Sequence, residues 1–476
     1  MAEMVVQPAS DKLYNELLAT AFDGRGRNAR YRQNQLFFLH HQIRADLEKI
    51  RAAIKQDTSS TEADIDIELG LSLNSVRRMY EGVDFEKSIQ DEFRIARKTD
   101  YTERRIPYGT VLIRPTLHTR FFSVISAMAA AFAAGNVVLL ELESSLRAVD
   151  KYFRTEFKVF DNASCIVAST RVENAAFIAK CRLVDQATAV INYPDTLQHR
   201  PHQITVAVVD RTADIPKAVR AVLASKCRFR GTSPYGVDVV LVNEWVKESF
   251  LAQCKELLDT ERATLDATNN DRSEKAQALN KTKSLKSKGE ILLYSHGVNI
   301  SEYEGSAPEL REKSPTYALR IVTVTGLVDA TTIAAELGPL LALYAFSNPG
   351  EAKYLSQHID SDICMVNQIP LPLLVGPCIP VGSSQSADIN IRYDANVMSK
   401  PAPQWIHDLS SSSTDPRQFC QHASTPLKPV KQHSGFDIGF FDRGALVGAV
   451  VIVLPSICAL VYGGYRVVAS GYRHFI

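Results

Sequence analysis

The chain has 476 residues, 45% of them hydrophobic and 22% charged, enough for two or three domains with large cores. Its 54 Lys+Arg and 53 Asp+Glu leave a net charge of +1, which excludes a nucleic-acid footprint spread over the whole surface. The eight cysteines form no CxxC pair and no Cys/His cluster at zinc spacing, so they argue for a reducing compartment and against a disulfide framework or a metal site.

Read from the N-terminus, MAEMVVQPASDKLYNELL lacks the basic and apolar regions of a signal peptide. The first hundred residues read as helices. Leu36, Leu39, Ile43, Leu47, Ile50 and Ile54 recur at i+3/i+4 spacing and predict one amphipathic helix, ended by the polar run that starts at Asp57. Near Pro107 the pattern changes. Residues 109–115 read as a short strand, 124–134 as an alanine-rich buried helix stopped by Gly135 and Asn136, and 137–140 as a second strand. That rhythm marks a parallel α/β unit. It recurs as strand 164–167 with helix 172–182, and as strand 203–209 with helix 215–223. A polar loop, Gly231-Thr232-Ser233-Pro234, then leads into an apolar strand at 237–242. Residues 259–289 read as a solvated excursion. Its lysines lack interleaved aromatics for base stacking, so nucleic acid is not expected as a partner. Residues 399–435, rich in Ser, Pro and His, read as a linker.

Residues 444–465 carry no charge over 22 positions, with Arg443 before and Arg466 after them. As a helix they would span about 33 Å, the thickness of a hydrocarbon core. Pro455 is tolerated in such a helix. The reading is a single-pass C-terminal tail anchor with the body in the cytosol.

Three segments in order resemble the aldehyde dehydrogenase superfamily, in particular its membrane-anchored fatty-aldehyde branch. They are AAGNVVLL at 133–140, DRTADIPKA at 210–218 and LALYAFSN at 341–348, joined by a helix opening GRGRNARYRQNQL. The resemblance implies an α/β fold with a shortened Rossmann-like domain, a second α/β catalytic-type domain and a C-terminal transmembrane helix. The corresponding division is 1–190, N-terminal helices and degenerate cofactor-type domain; 191–380, catalytic-type domain; 381–443, bridging segment and linker; 444–465, membrane helix; 466–476, short tail.

In that family a cysteine thiolate attacks the aldehyde, an asparagine amide and a backbone N–H hold the oxyanion, and a glutamate activates water. Laid over this sequence, the resemblance puts Pro234 at the nucleophile, His118 at the oxyanion asparagine and Arg200 at the general base. Ser233 or Cys227 is the fallback nucleophile. Of the cofactor-binding turn Ser169 and Thr170 remain, while Glu141 and Lys313 stand with reversed charge at the ribose-binding positions. Only about twenty residues join Glu141 to Phe160, where the family carries closer to fifty. No cofactor is therefore expected. The implied function is a membrane-anchored, catalytically silent pseudoenzyme. It would bind a lipophilic ligand or a partner, as a homodimer or with an active dehydrogenase-like subunit, and by likeness to the branch at the endoplasmic reticulum. The alternative is a divergent oxidoreductase or other enzyme of a membrane-associated pathway, such as fungal secondary metabolism. NAD or NADP would serve it, and an altered pocket would gather His118, Arg200, His202 and Ser233.

Overall fold

The computed structural model describes residues 2–58, 60–142, 146–187, 193–265, 290–295, 298–381, 388–406, 415–428 and 440–473. The Lys-rich part of the excursion (266–289) and linker residues 407–414 and 429–435 lie outside them. Met1–His407 form one compact unit and Asp408–Ile476 a second.

The first unit is built on two largely parallel sheets. The N-terminal sheet uses β1 (Val5–Gln7), β2 (Thr110–Arg114), β3 (Val137–Glu141), β4 (Cys165–Ala168), β5 (Arg182–Asp185) and β6 (Thr196–Leu197), all parallel, in the order β1-β4-β3-β2-β5-β6. The second sheet uses β7 (Thr205–Val209), β8 (Val239–Asn243), β9 (Glu290–Ser295), β10 (Val298–Glu302), β11 (Ala318–Val324), β12 (Ala342–Phe346) and β13 (Cys364–Val366). Its order is β9-β10-β11-β8-β7-β12-β13, with only the β9–β10 pair antiparallel. The strands β3, β7, β8 and β12 are buried at every position, as apolar runs covered on both faces must be.

Four sequence expectations change here. The predicted helix through Leu36 and Ile54 is two, α1 (Ala29–Ala45) and α2 (Leu47–Thr58). The buried Asp46 sits at the break and accepts bonds from the Gln42 amide and, at 3.0 Å, the Tyr152 hydroxyl. The expected helix over 172–182 is helical only over Ala175–Ile178, because Leu183 and Val184 pair with Leu112 and Ile113 as β5. The opening residues are not all helical either: β1 adds itself to the sheet edge beside β4. The first sheet also runs past residue 190, since Thr196 and Leu197 pair with β5.

The segments that carried the resemblance meet in space. Every residue of the helix α4 (Arg120–Ala134, following α3, Glu62–Gly82) from Phe121 to Ala133 is buried, consistent with an alanine-rich helix apolar on all sides. It ends at Gly135, φ +89°, against Gly26 of the GRGR run. A Cβ on Gly26 would lie 2.1 Å from the Gly135 carbonyl oxygen, so two backbones touch where only glycine fits. Asn136 then donates to the Met398 carbonyl at 2.8 Å and accepts the Gly109 N–H at 2.9 Å, tying helix end, strand start and a distant loop together. Part of the expected linker is structured: Ser399–Pro401 pairs with Arg105–Pro107, and Pro416–Ala423 is a helix.

In the second unit Phe440–Arg473 is a single 34-residue helix through Pro455. Its stretch Asp442–Arg466 is long and apolar enough to cross a membrane. Residues 466–473, expected as a tail, continue the helix.

Candidate functional site

Two cavities, each of about 260 Å³, take up five of the residues singled out in the sequence: Glu141 in one, and His118, Ser233, Pro234 and Lys313 in the other. The first lies at the carboxyl ends of β2, β3 and β5. The chain runs outward from β2 through β3 to β4 and returns to β5 on the other side of β2. Ligands of open α/β sheets bind at such a switch point. Arg114, Glu141 and Asp185 close these three strands, with Arg120, Arg147, Asp150 and Arg171 around them. Their side chains cross-link the cleft. Arg114 Nε donates to Glu141 Oε2 at 3.1 Å, its Nη1 lies 3.6 Å from Asp185, and its Nη2 donates to the Val172 carbonyl at 2.8 Å. Glu141 also accepts the Val172 N–H at 3.0 Å. Arg120 pairs with the buried Asp150 at 2.9 Å.

Ser169 and Thr170 do not open a helix. The Ser169 N–H donates to the Gln7 carbonyl at 3.1 Å, and the Thr170 hydroxyl accepts the Ala9 N–H at 2.9 Å. Both groups thus hold the added N-terminal strand, and the next helix, four residues long, starts only at Ala175. A dinucleotide's pyrophosphate needs free N–H groups at a helix start. The residues here do not offer that arrangement.

The second cavity lies between the loops leaving β2 and β5 of the first sheet and those entering β8 and β11 of the second. His118, Ser233, Pro234 and Lys313 line it, joined by Lys226 and Asp238. Arg200 does not: its partner is Asp362, at 3.6 Å, although the adjacent Pro201 reaches the cavity. His202 is exposed and is not part of the lining. The four-residue pocket of the alternative reading is therefore corrected to His118 and Ser233. Cys227 is half-buried against the core and does not line the cavity.

The backbone around this cavity is held in costly conformations. Thr119, β-branched, has φ +40°, and Phe229, Arg230 and Gly231 are left-handed in succession. Thr119 is fixed by accepting the Gly376 N–H at 2.7 Å.

His118 is buried and fully engaged. Its Nε2 lies 2.8 Å from the Leu374 carbonyl, which can only accept, so Nε2 carries the proton. Nδ1 lies 2.8 Å from the Thr232 hydroxyl, whose one proton is shared with the Phe229 carbonyl, also at 2.8 Å. Burial pushes the ring down to about 4, so it is neutral. Ser233 Oγ takes the Tyr235 N–H at 3.3 Å. No hydrogen bond joins Ser233 to His118 among the described residues, so the two do not form a nucleophile–base pair. Cys378, also on the wall, is buried and its thiol is pushed up to about 12 by that burial.

Lys313 is in this cavity rather than beside Glu141. Its Nζ donates to Asp238 Oδ2 at 2.9 Å and to the Pro234 carbonyl at 2.5 Å. Asp238 further accepts the Thr205 and Ser314 N–H groups at 2.9 and 3.0 Å and the Ser314 hydroxyl at 3.1 Å. Burial opposes its ionisation, but Lys313 and Lys226 hold the carboxyl below its usual range. Lys226 donates to Ser314 Oγ and stands 3.6 Å from Asp238 Oδ1. Burial pushes the Lys226 ammonium down to about 8; Lys313 and Arg320 add to that, and Asp238 opposes it.

Lys226 and Asp238 escape a motif-based reading. The signal for Lys226 was present: it follows Val219 and Val222 at i+7 and i+4 on the buried face of the helix Ile215–Cys227. A lysine on an apolar stripe needs a partner. Only the fold supplies it.

In sequence the chain matches no family model and no curated protein. Solved structures do match. AldH of Staphylococcus aureus, in a substrate-bound state, superposes with a TM-score of 0.65 at 17% identity, covering 93% of this chain and 99% of that one. The chain has the aldehyde dehydrogenase fold. Two further structures agree: glyceraldehyde-3-phosphate dehydrogenase GapN of Methanocaldococcus jannaschii complexed with NADP (TM-score 0.62, 15% identity, 84% and 98% of the two chains) and lactaldehyde dehydrogenase of Escherichia coli (0.61, 12%, 85% and 95%). Ser233 and Pro234, in the loop to which the sequence resemblance assigned the thiol, line the second cavity.

Proposed function

We propose that this chain is a membrane-anchored protein of aldehyde dehydrogenase fold that does not oxidise aldehydes and works by binding a lipophilic ligand. The observation that carries the reading is the pairing of Pro234 with a fully engaged, neutral His118. A proline cannot supply a nucleophile, and an imidazole with both nitrogens bonded cannot supply an oxyanion amide or a free base. NAD and NADP do not fit the switch-point cleft: Glu141 is held by Arg114 and Val172, and Ser169 and Thr170 are bonded to the N-terminal strand. No hydride-transfer step is therefore assigned. The helix Phe440–Arg473 supports a single-pass anchor, with the body facing the cytosol and, by likeness to the fatty-aldehyde branch, the endoplasmic reticulum as its membrane. Pairing with a second copy or with an active dehydrogenase-like subunit belongs to the same reading.

The test is NAD(P)H formation from a fatty aldehyde by the wild type, Pro234→Cys and Pro234→Cys/Arg200→Glu/His118→Asn. None should turn over, because losing nicotinamide orientation alone costs many orders of magnitude, up to roughly 10⁵–10⁸. Turnover by the wild type would end the pseudoenzyme reading. Removing residues 444–476 should release a folded body into the soluble fraction; retention on membranes after carbonate washing would end the anchor.

A further inference from the structure

We propose that Lys226 is an amine nucleophile that captures an aldehyde as a Schiff base in the cavity beside Ser233 and Pro234. This rests on the reading above, that the site binds a lipophilic ligand without oxidising it, and gives that ligand its reactive group.

The geometry supplies each part of the reaction. Lys226 closes the cavity wall at the end of its helix, with a side chain only 3% exposed, so a carbonyl reaches it through the cavity alone. A volume of about 260 Å³ leaves room for a small carbonyl compound beside the amine. Lys226 Nζ, Ser314 Oγ and Asp238 Oδ1 form a continuous chain from amine through hydroxyl to carboxylate. Lys313 adds a second ammonium on the other oxygen of Asp238, at 2.9 Å and nearer solvent. The charged groups facing Lys226 are Asp238 before β8, Lys313 before β11 and Arg320 within β11. Burial among them leaves part of the lysine neutral near physiological pH, as a nucleophilic amine requires.

In the proposed step the amine nitrogen attacks the carbonyl carbon. The C–N bond forms as the C=O π bond opens, and the oxygen takes a proton from the Lys313 ammonium. The nitrogen passes one proton through Ser314 to Asp238, leaving a neutral carbinolamine. That proton returns to the hydroxyl, the C–O bond breaks, and water departs as the nitrogen lone pair makes C=N. The remaining N–H proton restores Lys313. Amine and aldehyde give imine and water, with no oxidant or reductant. The captured aldehyde is held for transfer or release by hydrolysis, chemistry open to a fold that has lost its thiol.

The experiment is reductive trapping of the detergent-solubilised full chain with hexanal and sodium cyanoborohydride, followed by peptide mapping. At pH 7 the adduct should form at Lys226 on the order of a hundredfold faster than at surface lysines, from a pKa of about 8 against ~10.4 for a free lysine. Trapping at Lys226 should level off above pH 8, while surface labelling keeps rising. Lys226→Arg, which keeps the charge, and Lys226→Met should both abolish the preferred adduct; thermal unfolding identifies whichever variant folds. Ser314→Ala, a positioning change, should slow trapping by roughly a hundredfold with the amine still present. An adduct spread over surface lysines, or centred on Lys313, would overturn the proposal and leave Lys226 as a structural ion pair. The two readings fail separately: NAD(P)H from hexanal defeats the first, and absent trapping at Lys226 defeats the second.

Discussion

The switch-point cleft and the thiol-loop cavity have similar volumes and the same excess of one cation. The cleft holds four arginines and three carboxylates; the cavity holds two lysines and one carboxylate beside a neutral histidine. Their chemistry differs because the cations differ. An arginine does not lose its proton in a protein, so Arg114 can only clamp, and it closes the cleft across three strand ends. A buried lysine responds to desolvation by releasing its proton, which turns an ion pair into a nucleophile poised near neutrality. Equal net charge therefore says little about a site; burial and the kind of cation decide what it can do.

The comparison can be broken most strongly at Asp238. Asp238→Asn leaves Lys226 buried beside Lys313 without a carboxylate, and should destabilise the fold by about 3–5 kcal/mol. It should also lower the Lys226 pKa further, seen as trapping that plateaus at lower pH. A loss below about 1 kcal/mol in denaturant unfolding would mean the cluster is more solvated than described.

A somewhat smaller effect is expected in the cleft. Glu141→Lys restores the family's residue but sets an ammonium against Arg114, costing about 3 kcal/mol. It should not create cofactor binding, because Ser169 and Thr170 remain bonded to Gln7 and Ala9. Calorimetry giving a Kd for NADP below roughly 100 μM, about −5.5 kcal/mol, would show the cleft to be open after all.

The smallest effect concerns Glu68 on α3. Its buried carboxylate accepts the Phe121 and Phe122 N–H groups at 3.1 and 3.2 Å, at the start of the helix that His118 precedes. Burial pushes Glu68 up to about 7, despite those two bonds. Its folded value exceeds its unfolded one, so its stabilisation is complete below about 4.3 and is lost as pH rises through 7. Glu68→Gln should remove that loss, making the variant's stability relative to wild type improve by about 2 kcal/mol between pH 5 and 8. A pH-independent difference would place water beside the carboxylate.

What the sequence determined by itself follows from local periodicity and from residues with one structural use. The strand–helix–strand rhythm located β2, α4 and β3, and the glycine and asparagine of the AAGN run marked a helix end that φ +89° and the contact with Gly26 explain. The uncharged run before Arg466 announced the long apolar helix. Tertiary structure decided what depends on partners distant in sequence. Residues 5–7 become a strand only because β4 offers an open edge, and Arg182, read as a helix end, joins residues 183–185 in a strand beside β2. Arg200 turns to Asp362, while Lys313 turns to Asp238, 75 positions away. Lys226 reads as one more charge near a helix end until the fold surrounds it with Asp238, Ser314 and Lys313. A pKa is set by desolvation and by charges brought near through space, and neither is written in the spacing along a chain.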